Sequence, residues 1–404
     1  MTHIAWLGKK SPFCGNVTYS LATTDALRRR GHQVSFIHFD TPATAALGRQ
    51  DALPTPVGGV GSSTTGKLAT ENPEVALPYL VKSQVYTIPS PGALRELRES
   101  LERLRPDVVH ASLTLSPLDF RLPELCQQLG VPLVATFHPA FDANLRNITA
   151  GTQQLTYQVY APSLARYDRV IVFSELQADL LERLGVPQER LAVIPNGVDI
   201  DTWTPAGAGV HSELNALVQR FGRRRVFLYM GRLSTEKNVE ALLRAWRLVQ
   251  PKGCVLLIVG DGPLRSALQN NDEDVIWWGY EADLRRRVAL LQIAEVFLLP
   301  SLVEGLSLAL LEAMACGKAC VATDAGADGE ALEGGAGIVI STQGVTTQLR
   351  TLLPVLRDQP VLTAELGRRA RARALERYTL KGNINALERL YQELLSGRPN
   401  LVAA

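Results

Sequence analysis

Cysteine is scarce in this chain: five residues in 404, an odd number scattered along its length. That excludes a disulfide framework and suits a reducing, cytosolic setting. Cys316 and Cys320 lie close together, but no second Cys or His pair completes a zinc site, so buried thiols are expected. A long apolar run is missing too. The most apolar stretch, VALLQIAEVFLLPSLV from Val288, is interrupted by Gln292, Glu295 and Pro300, and it falls short of the roughly 20 residues of a membrane-spanning helix. The opening MTHIAWLG is too short for a signal peptide and runs directly into Lys9 and Lys10; it reads as a first strand. Nor is one charge in excess. The formal net charge is +2, with both halves near balance, which excludes the basic footprint of a nucleic-acid binder. Apolar residues, by contrast, make up 46% of the chain, enough for sizeable cores over a length that suits two or three domains.

Short β-rich runs alternate with helical patterns. HIAWLG, QVSFIHF, DVVHASL, PLVATFH, RVIVFS and LAVIP form one series, and RVFLYMG, CVLLIVG, VIWWG, AEVFLLPS, KACVATD and GIVIST a second, separated by the linker TPAGAGVH at 204–211. Such alternation predicts parallel sheets covered by helices. Three joints, RRRGHQV, QQLGVPLV and ERLGVPQERLAVI, place a Gly after a helix where a left-handed cap is needed. The reading is α/β, with two Rossmann-like domains at 1–198 and 199–375 facing across a cleft, and a helical tail, 376–404, packing back toward the first. A ligand is expected between them, at the carboxyl ends of the strands. The segment from Thr41 to Pro91, rich in Ala, Gly, Ser, Thr and Pro, reads as long mobile connections with one short helix or strand at most.

Some apparent motifs dissolve on inspection. GSSTTGKL at 61–68 has the spacing of a phosphate-binding loop, but Leu68 stands where Ser or Thr would hold magnesium. The Asp-x-Asp pairs Asp199/Asp201 and Asp272/Asp274 sit among turn formers and read as solvated loops, so no metal site is assigned. GRLSTEKN is more informative: Arg232 and Lys237 follow the strand VFLYM where a crevice should open, and two cations converging there suit a diphosphate. GDGP, from Gly260, marks a tight turn with close backbone approach. In PSLVEGLSLALLEAMACG, from Pro300, Glu304 precedes a helix and Glu312 lies on it. Eight residues at a helical rise span roughly 12 Å, which suits two ends of one extended ligand better than a pair of acids on one bond, where retaining carboxylates lie about 5 Å apart. Amides near Leu306, Ser307 and Leu308 would then face a phosphate.

Taken in order, Glu304-x7-Glu312, GRLSTEKN, IVGDGP, PNGVD at 195–199 and EAMACGKACVAT resemble the retaining glycosyltransferases of family four, which have the two-domain B-type (GT-B) fold. The N-terminal half, with GKKSPFCGNVTY, HASLTLSPLDF, TFHPAFD and YAPSLARYDRVIVFS, is most similar to the cyanobacterial and related digalactosyldiacylglycerol synthases. The resemblance implies a nucleotide-sugar donor, UDP-galactose, with no cofactor or metal, and a galactolipid acceptor. It implies that Arg232 and Lys237 clamp the donor diphosphate, Glu312 holds the ribose hydroxyls and Glu304 contacts the sugar. Gly15 and Asn16 lie in the loop that closes over the phosphate, Gly260 and Leu306 to Leu308 border the donor, and His138 stands near the reacting sugar. Two departures from the family pattern, Leu306-Ser307 in place of Phe-Gly and Gly326-Ala327 in place of Gly-Gly, bear on the shape of the sugar pocket.

Transfer would pass through an oxocarbenium-like state while charge grows on the leaving diphosphate, so electrostatic stabilisation by Arg232, Lys237 and helix amides can carry catalysis. A lipid acceptor requires peripheral contact with a membrane surface from the cytoplasmic side; Phe13, Arg28 to Arg30 and the loop from Thr41 are the candidate contacts. The alternatives are a transferase with another lipid or a soluble sugar acceptor, a nucleotide-sugar epimerase of similar fold, and a non-catalytic nucleotide-binding scaffold.

Overall fold

Residues 1–11, 14–40, 73–83, 85–141, 148–207 and 212–397 are described by the computed structural model. Both series of apolar runs become strands. The first gives β1 (His3–Gly8), β2 (Gln33–Phe39), β3 (Glu74–Leu77), a hairpin of β4 (Tyr79–Lys82) and β5 (Thr87–Pro89), then β6 (Val108–Ser112), β7 (Leu133–Thr136), β8 (Arg169–Val172) and β9 (Leu191–Val193). The second gives β10 (Arg225–Met230), β11 (Cys254–Val259), β12 (Val275–Gly279), β13 (Val296–Leu299), β14 (Ala319–Thr323) and β15 (Ile338–Ile340).

Two all-parallel sheets result, ordered β3-β2-β1-β6-β7-β8-β9 and β12-β11-β10-β13-β14-β15. In each the strand order reverses beside the first strand, at β1/β6 and at β10/β13, which opens a crevice at the carboxyl ends. Alternation on β1 explains why both faces are filled. Ile4 and Trp6 enter one apolar cluster and Ala5 and Leu7 another, because successive side chains of a strand point to opposite faces. The glycines at the three anticipated joints, Gly31, Gly130 and Gly185, all have positive φ, the left-handed backbone that side chains disfavour.

The tail helix, Leu380–Ser396, lies against the N-terminal unit although it follows the C-terminal one in sequence. Glu388 is paired with Arg30 at 2.5 Å and with His32 at 3.0 Å, and the Tyr391 hydroxyl meets His110 Nδ1 at 2.5 Å. On its way there the chain crosses the PNGVD segment: Val198 N–H donates to the Tyr378 carbonyl and Leu380 N–H to the Val198 carbonyl, both at 2.8 Å. A Cβ on Gly197 would stand 2.7 Å from Leu380 Cα, so the crossing requires glycine.

Two expectations fail. The segment read as mobile connections up to Pro91 contains three strands, β3 to β5; Glu-Val-Ala-Leu adds to the sheet edge beside β2, a pairing set by the partner strand rather than by local periodicity. The Arg28 to Arg30 cluster is not a free basic patch. Arg28 donates to the Val34 carbonyl, Arg29 pairs with Asp25 and Arg30 is committed to the tail helix. Phe13, most of the loop from Thr41 and the GSSTTGKL stretch fall outside the described residues.

Candidate active site

At the β10/β13 switch point the GRL loop and the Ser301–Ser307 loop come together. The short turn Thr235–Lys237 is docked by the Leu302 N–H donating to the Glu236 carbonyl at 2.8 Å. This brings the Lys237 ammonium to 2.5 Å from Glu304 Oε1, which also accepts from Ser301 Oγ at 2.8 Å. Burial alone would lower the affinity of Lys237 for its proton; Glu304, with Asp328 and Glu236, more than reverses that and holds the ammonium charged. The sequence places Lys237 and Glu304 on different parts of one ligand, whereas here they bind each other. Arg232 is exposed and its guanidinium has no partner among the described residues; its carbonyl is fixed by the Tyr229 hydroxyl at 2.7 Å.

Gly260 supports this loop from behind. Its φ is +136°, and a Cβ there would lie 1.8 Å from the Gly231 carbonyl oxygen. Glycine is therefore obligatory for the contact, and Gly260 acts on the Arg232 loop through backbone packing.

The Glu304–Ser307 loop is clamped by a second backbone segment. Gly326, at φ +55°, leaves no room for a Cβ, which would sit 2.0 Å from the Glu304 carbonyl oxygen. Ala327 N–H donates to the Gly305 carbonyl at 2.7 Å, and the Asp328 carboxyl accepts from the Ser307 N–H at 2.9 Å. Asp328 is fully buried and its Oδ2 has no partner. Burial and the nearby Glu304 raise its pKa well above the ordinary aspartate range. The chain motifs give no sign of Asp328, because its importance comes from a contact 21 residues away. Its bond also takes the Ser307 amide, one of those assigned to a phosphate, and leaves the anion-facing role to the start of the helix Leu308–Ala315. The carbonyl of Leu306, meanwhile, accepts from Asn196 of the PNGVD segment at 3.0 Å.

Glu312 lies one turn along that helix and is 8% exposed. Its carboxylate makes no hydrogen bond among the described residues, and it lines a cavity of about 90 Å³ with Thr18, Tyr19, Gly197, Trp203 and Leu308. Burial pushes its pKa up to about 7, with Arg287 pulling modestly the other way. An unpaired carboxylate facing a cavity between the two units is an acceptor for hydroxyl groups. Glu304 and Glu312 thus look into different surroundings, as two ends of an extended ligand would require.

Across the crevice, His138 follows β7, and its carbonyl oxygen is 3.4 Å from where a Cβ on Gly305 would be. Phe141 N–H donates to the Glu304 carbonyl at 2.8 Å, which binds the two units at the site itself. Asn16 Nδ2 donates to the Leu113 carbonyl at 2.9 Å, so its Oδ1 accepts from Ser112 at 3.0 Å and Ser20 at 3.2 Å. His138 Nε2 shares a hydrogen bond with Ser112 Oγ at 2.7 Å, and Ser112 Oγ in turn lies 3.1 Å from Ser20 Oγ. Burial, with a contribution from Lys9, lowers the His138 pKa to about 3, so the ring is neutral. The Asn16 side chain is joined to His138 through Ser112. Gly15, the first residue of the helix Gly15–Arg29, has open space where a Cβ would be.

The Asp-x-Asp residues are taken up locally. Asp272 pairs with Arg247, Asp274 accepts from the Trp246 indole, and Asp199 accepts from the Asp201 N–H and the Thr202 hydroxyl.

Two Rossmann-like units facing across a crevice, with a tail returning to the first, make up the GT-B fold. Within that class, residues 15–202 match the family described as Glycosyltransferase Family 4, and residues 224–358 match Glycosyl transferases group 1; the chain is a glycosyltransferase carrying both domains. It is 28% identical over 267 residues to the GDP-mannose-dependent alpha-(1-6)-phosphatidylinositol dimannoside mannosyltransferase of Mycobacterium tuberculosis, a match spanning 64% of this chain and 66% of that protein. Alpha-maltose-1-phosphate synthase of Mycolicibacterium smegmatis is 28% identical over 293 residues, covering 67% and 75%. In fold the chain matches Anabaena Alr3699/HepE, solved in complex with UDP, with a TM-score of 0.74 at 19% identity over 97% of this chain and all of that one.

Proposed function

We propose that the protein is a retaining hexosyltransferase that moves galactose from UDP-galactose onto monogalactosyldiacylglycerol, giving the digalactosyl lipid. The observation that carries the transferase chemistry is the division of labour in the crevice. Glu312 offers an unpaired carboxylate to the ribose hydroxyls, and Lys237 and Arg232 offer positive charge to the diphosphate. Charge that grows on the leaving group is stabilised by these fixed groups and by the first amides of the Leu308–Ala315 helix, a scheme that needs no metal ion. Glu304, anchored by Lys237 and Ser301, presents its second oxygen to the donor sugar. The neutral His138 presents its second ring nitrogen to a sugar hydroxyl.

The lipid acceptor rests on the resemblance of the N-terminal half quoted above. A relative named for a phosphatidylinositol dimannoside acceptor is in keeping with a lipid-borne sugar. The reading is tested by incubating the protein with radiolabelled UDP-galactose, UDP-glucose or GDP-mannose, each with monogalactosyldiacylglycerol or with soluble sugars, and separating lipid from aqueous products. Digalactosyl lipid formed from UDP-galactose supports the full assignment. Efficient transfer to a soluble acceptor with no lipid product overturns the acceptor while leaving the transferase standing.

A further inference from the structure

The β4–β5 hairpin stands off the carboxyl edge of the N-terminal sheet, the same edge that carries His138. It begins one residue after β3 ends, and Thr87 N–H reaches back to the Leu115 carbonyl beyond β6. Its side chains break the usual rule for a soluble surface. Leu80 is 65% exposed, Val85 58%, and Val81, Tyr86 and Ile88 are exposed as well. Leu80 and Val81 are neighbours on a strand and therefore point to opposite faces, so neither face of the ribbon is packed at that point. A two-stranded ribbon this short is marginal by itself, and a contiguous apolar patch marks a contact surface, whereas scattered apolar residues do not.

A second apolar element flanks it. The helix Ile148–Leu164 buries Tyr157, Tyr160, Ala161 and Leu164 but exposes Leu155 and Val159, one turn apart on its outer side. Both elements pack on the short turn Pro117–Phe120: β5 lies against it, and the Tyr160 ring is 4.7 Å from that of Phe120. The Tyr157 hydroxyl donates to the Pro139 carbonyl at 2.8 Å, which sets this part of the helix beside His138. At the base of the hairpin is a basic collar. Lys82 donates to the Phe39 carbonyl and to Ser11, and Lys10 pairs with Glu74 at 2.5 Å, while Lys9 lies buried behind them with its ammonium toward the Ser83 carbonyl. Burial chiefly, with a smaller contribution from Lys82, lowers the affinity of Lys9 for its proton, and burial with Lys10 and Lys82 does the same to His38. The nearby carboxylates are Glu74, Asp40 and Asp119.

We propose that the hairpin, with Leu155 and Val159 beside it, is the surface by which this chain seats on an anionic lipid bilayer, the exposed apolar side chains entering the headgroup boundary and the partly exposed Lys10 and Lys82 meeting lipid phosphates. An apolar projection with cations at its base is complementary to that one surface, apolar within and anionic above. Seated this way, the acceptor edge of the sheet faces the membrane and a lipid-borne sugar enters the crevice at His138. The inference deepens the lipid-acceptor reading and rests on it for its purpose, but its test does not use the acceptor.

Full-length protein is sedimented with vesicles of phosphatidylcholine alone and of phosphatidylcholine mixed with phosphatidylglycerol, both lacking galactolipid. Binding to the mixed vesicles is expected, weakened by salt and by removal of phosphatidylglycerol. Leu80→Ser with Ile88→Ser, and separately Leu155→Ser with Val159→Ser, should each weaken it roughly tenfold or more, while Leu248→Ser, equally exposed on the other unit, leaves it unchanged. Slow UDP release from UDP-galactose in the absence of acceptor reports that each variant is folded. No vesicle binding by the unaltered protein, or binding unaffected by both hairpin and helix variants that retain UDP release, overturns the proposal. Vesicle binding without transfer to galactolipid overturns only the acceptor named above.

Discussion

At the scale of single residues the account rests on charge. Arg232→Ala and Lys237→Ala should each lower turnover roughly 100-fold, about 3 kcal/mol of lost stabilisation, with circular dichroism unchanged; near-normal turnover in both variants would remove the diphosphate clamp. Glu312 carries a testable cost. Its pKa of about 7 in the folded chain lies above the ordinary 4.5, so the folded state binds the proton more tightly. Folding is unpenalised below the ordinary value, and the full penalty is present above about 7. Glu312→Gln should therefore stabilise the protein by roughly 3 kcal/mol in denaturant titrations on the alkaline side, with no gain in acid, while raising the KM for donor roughly tenfold through loss of a charged acceptor. A variant no more stable than the original at alkaline pH would show that the carboxylate is not desolvated. These residues were legible because they follow recognisable strand ends. Asp328 was not, and neither was the link from Asn16 through Ser112 to His138, since both depend on contacts that only the folded chain creates.

Elements show where local pattern suffices. The twelve short apolar runs all become strands because a buried parallel strand needs little beyond a continuous apolar segment and a turn. β3, β4 and β5 escaped notice because short strands at an edge draw on their partners, and because exposed Leu80 and Ile88 give no buried face to read. The loop clamp at 326–328 is likewise an element-scale device, and it separates two substitutions. Asp328→Asn keeps an oxygen for the Ser307 N–H, so the loop stays clamped and donor KM should stay close to the original. Asp328→Ala leaves that amide unsatisfied at a cost of about 1–3 kcal/mol and loosens the Glu304 loop, so donor KM should rise with the loss of stability. Equal behaviour of the two variants in thermal melts and donor titrations would contradict the clamp.

For the whole molecule, two α/β units were readable from alternation and from the linker, but the registration of one unit on the other was not. Phe141 on Glu304, Asn196 on Leu306 and Tyr391 on His110 join residues far apart in sequence, and no periodicity announces them. The tail contact is the most exposing to test. Tyr391→Phe leaves a nitrogen of the buried His110 ring without its partner and should cost about 1–3 kcal/mol of stability, read by denaturant unfolding; an unchanged midpoint would show that this pin is idle. The central claim, that the crevice bounded by Lys237, Glu304 and His138 transfers a hexose from a nucleotide sugar with its configuration kept, is tested most directly by proton NMR of the product as it first forms from UDP-galactose. We expect the new linkage to be α, matching the donor. A β linkage, or nucleotide release with no sugar transferred to any acceptor, would contradict the account.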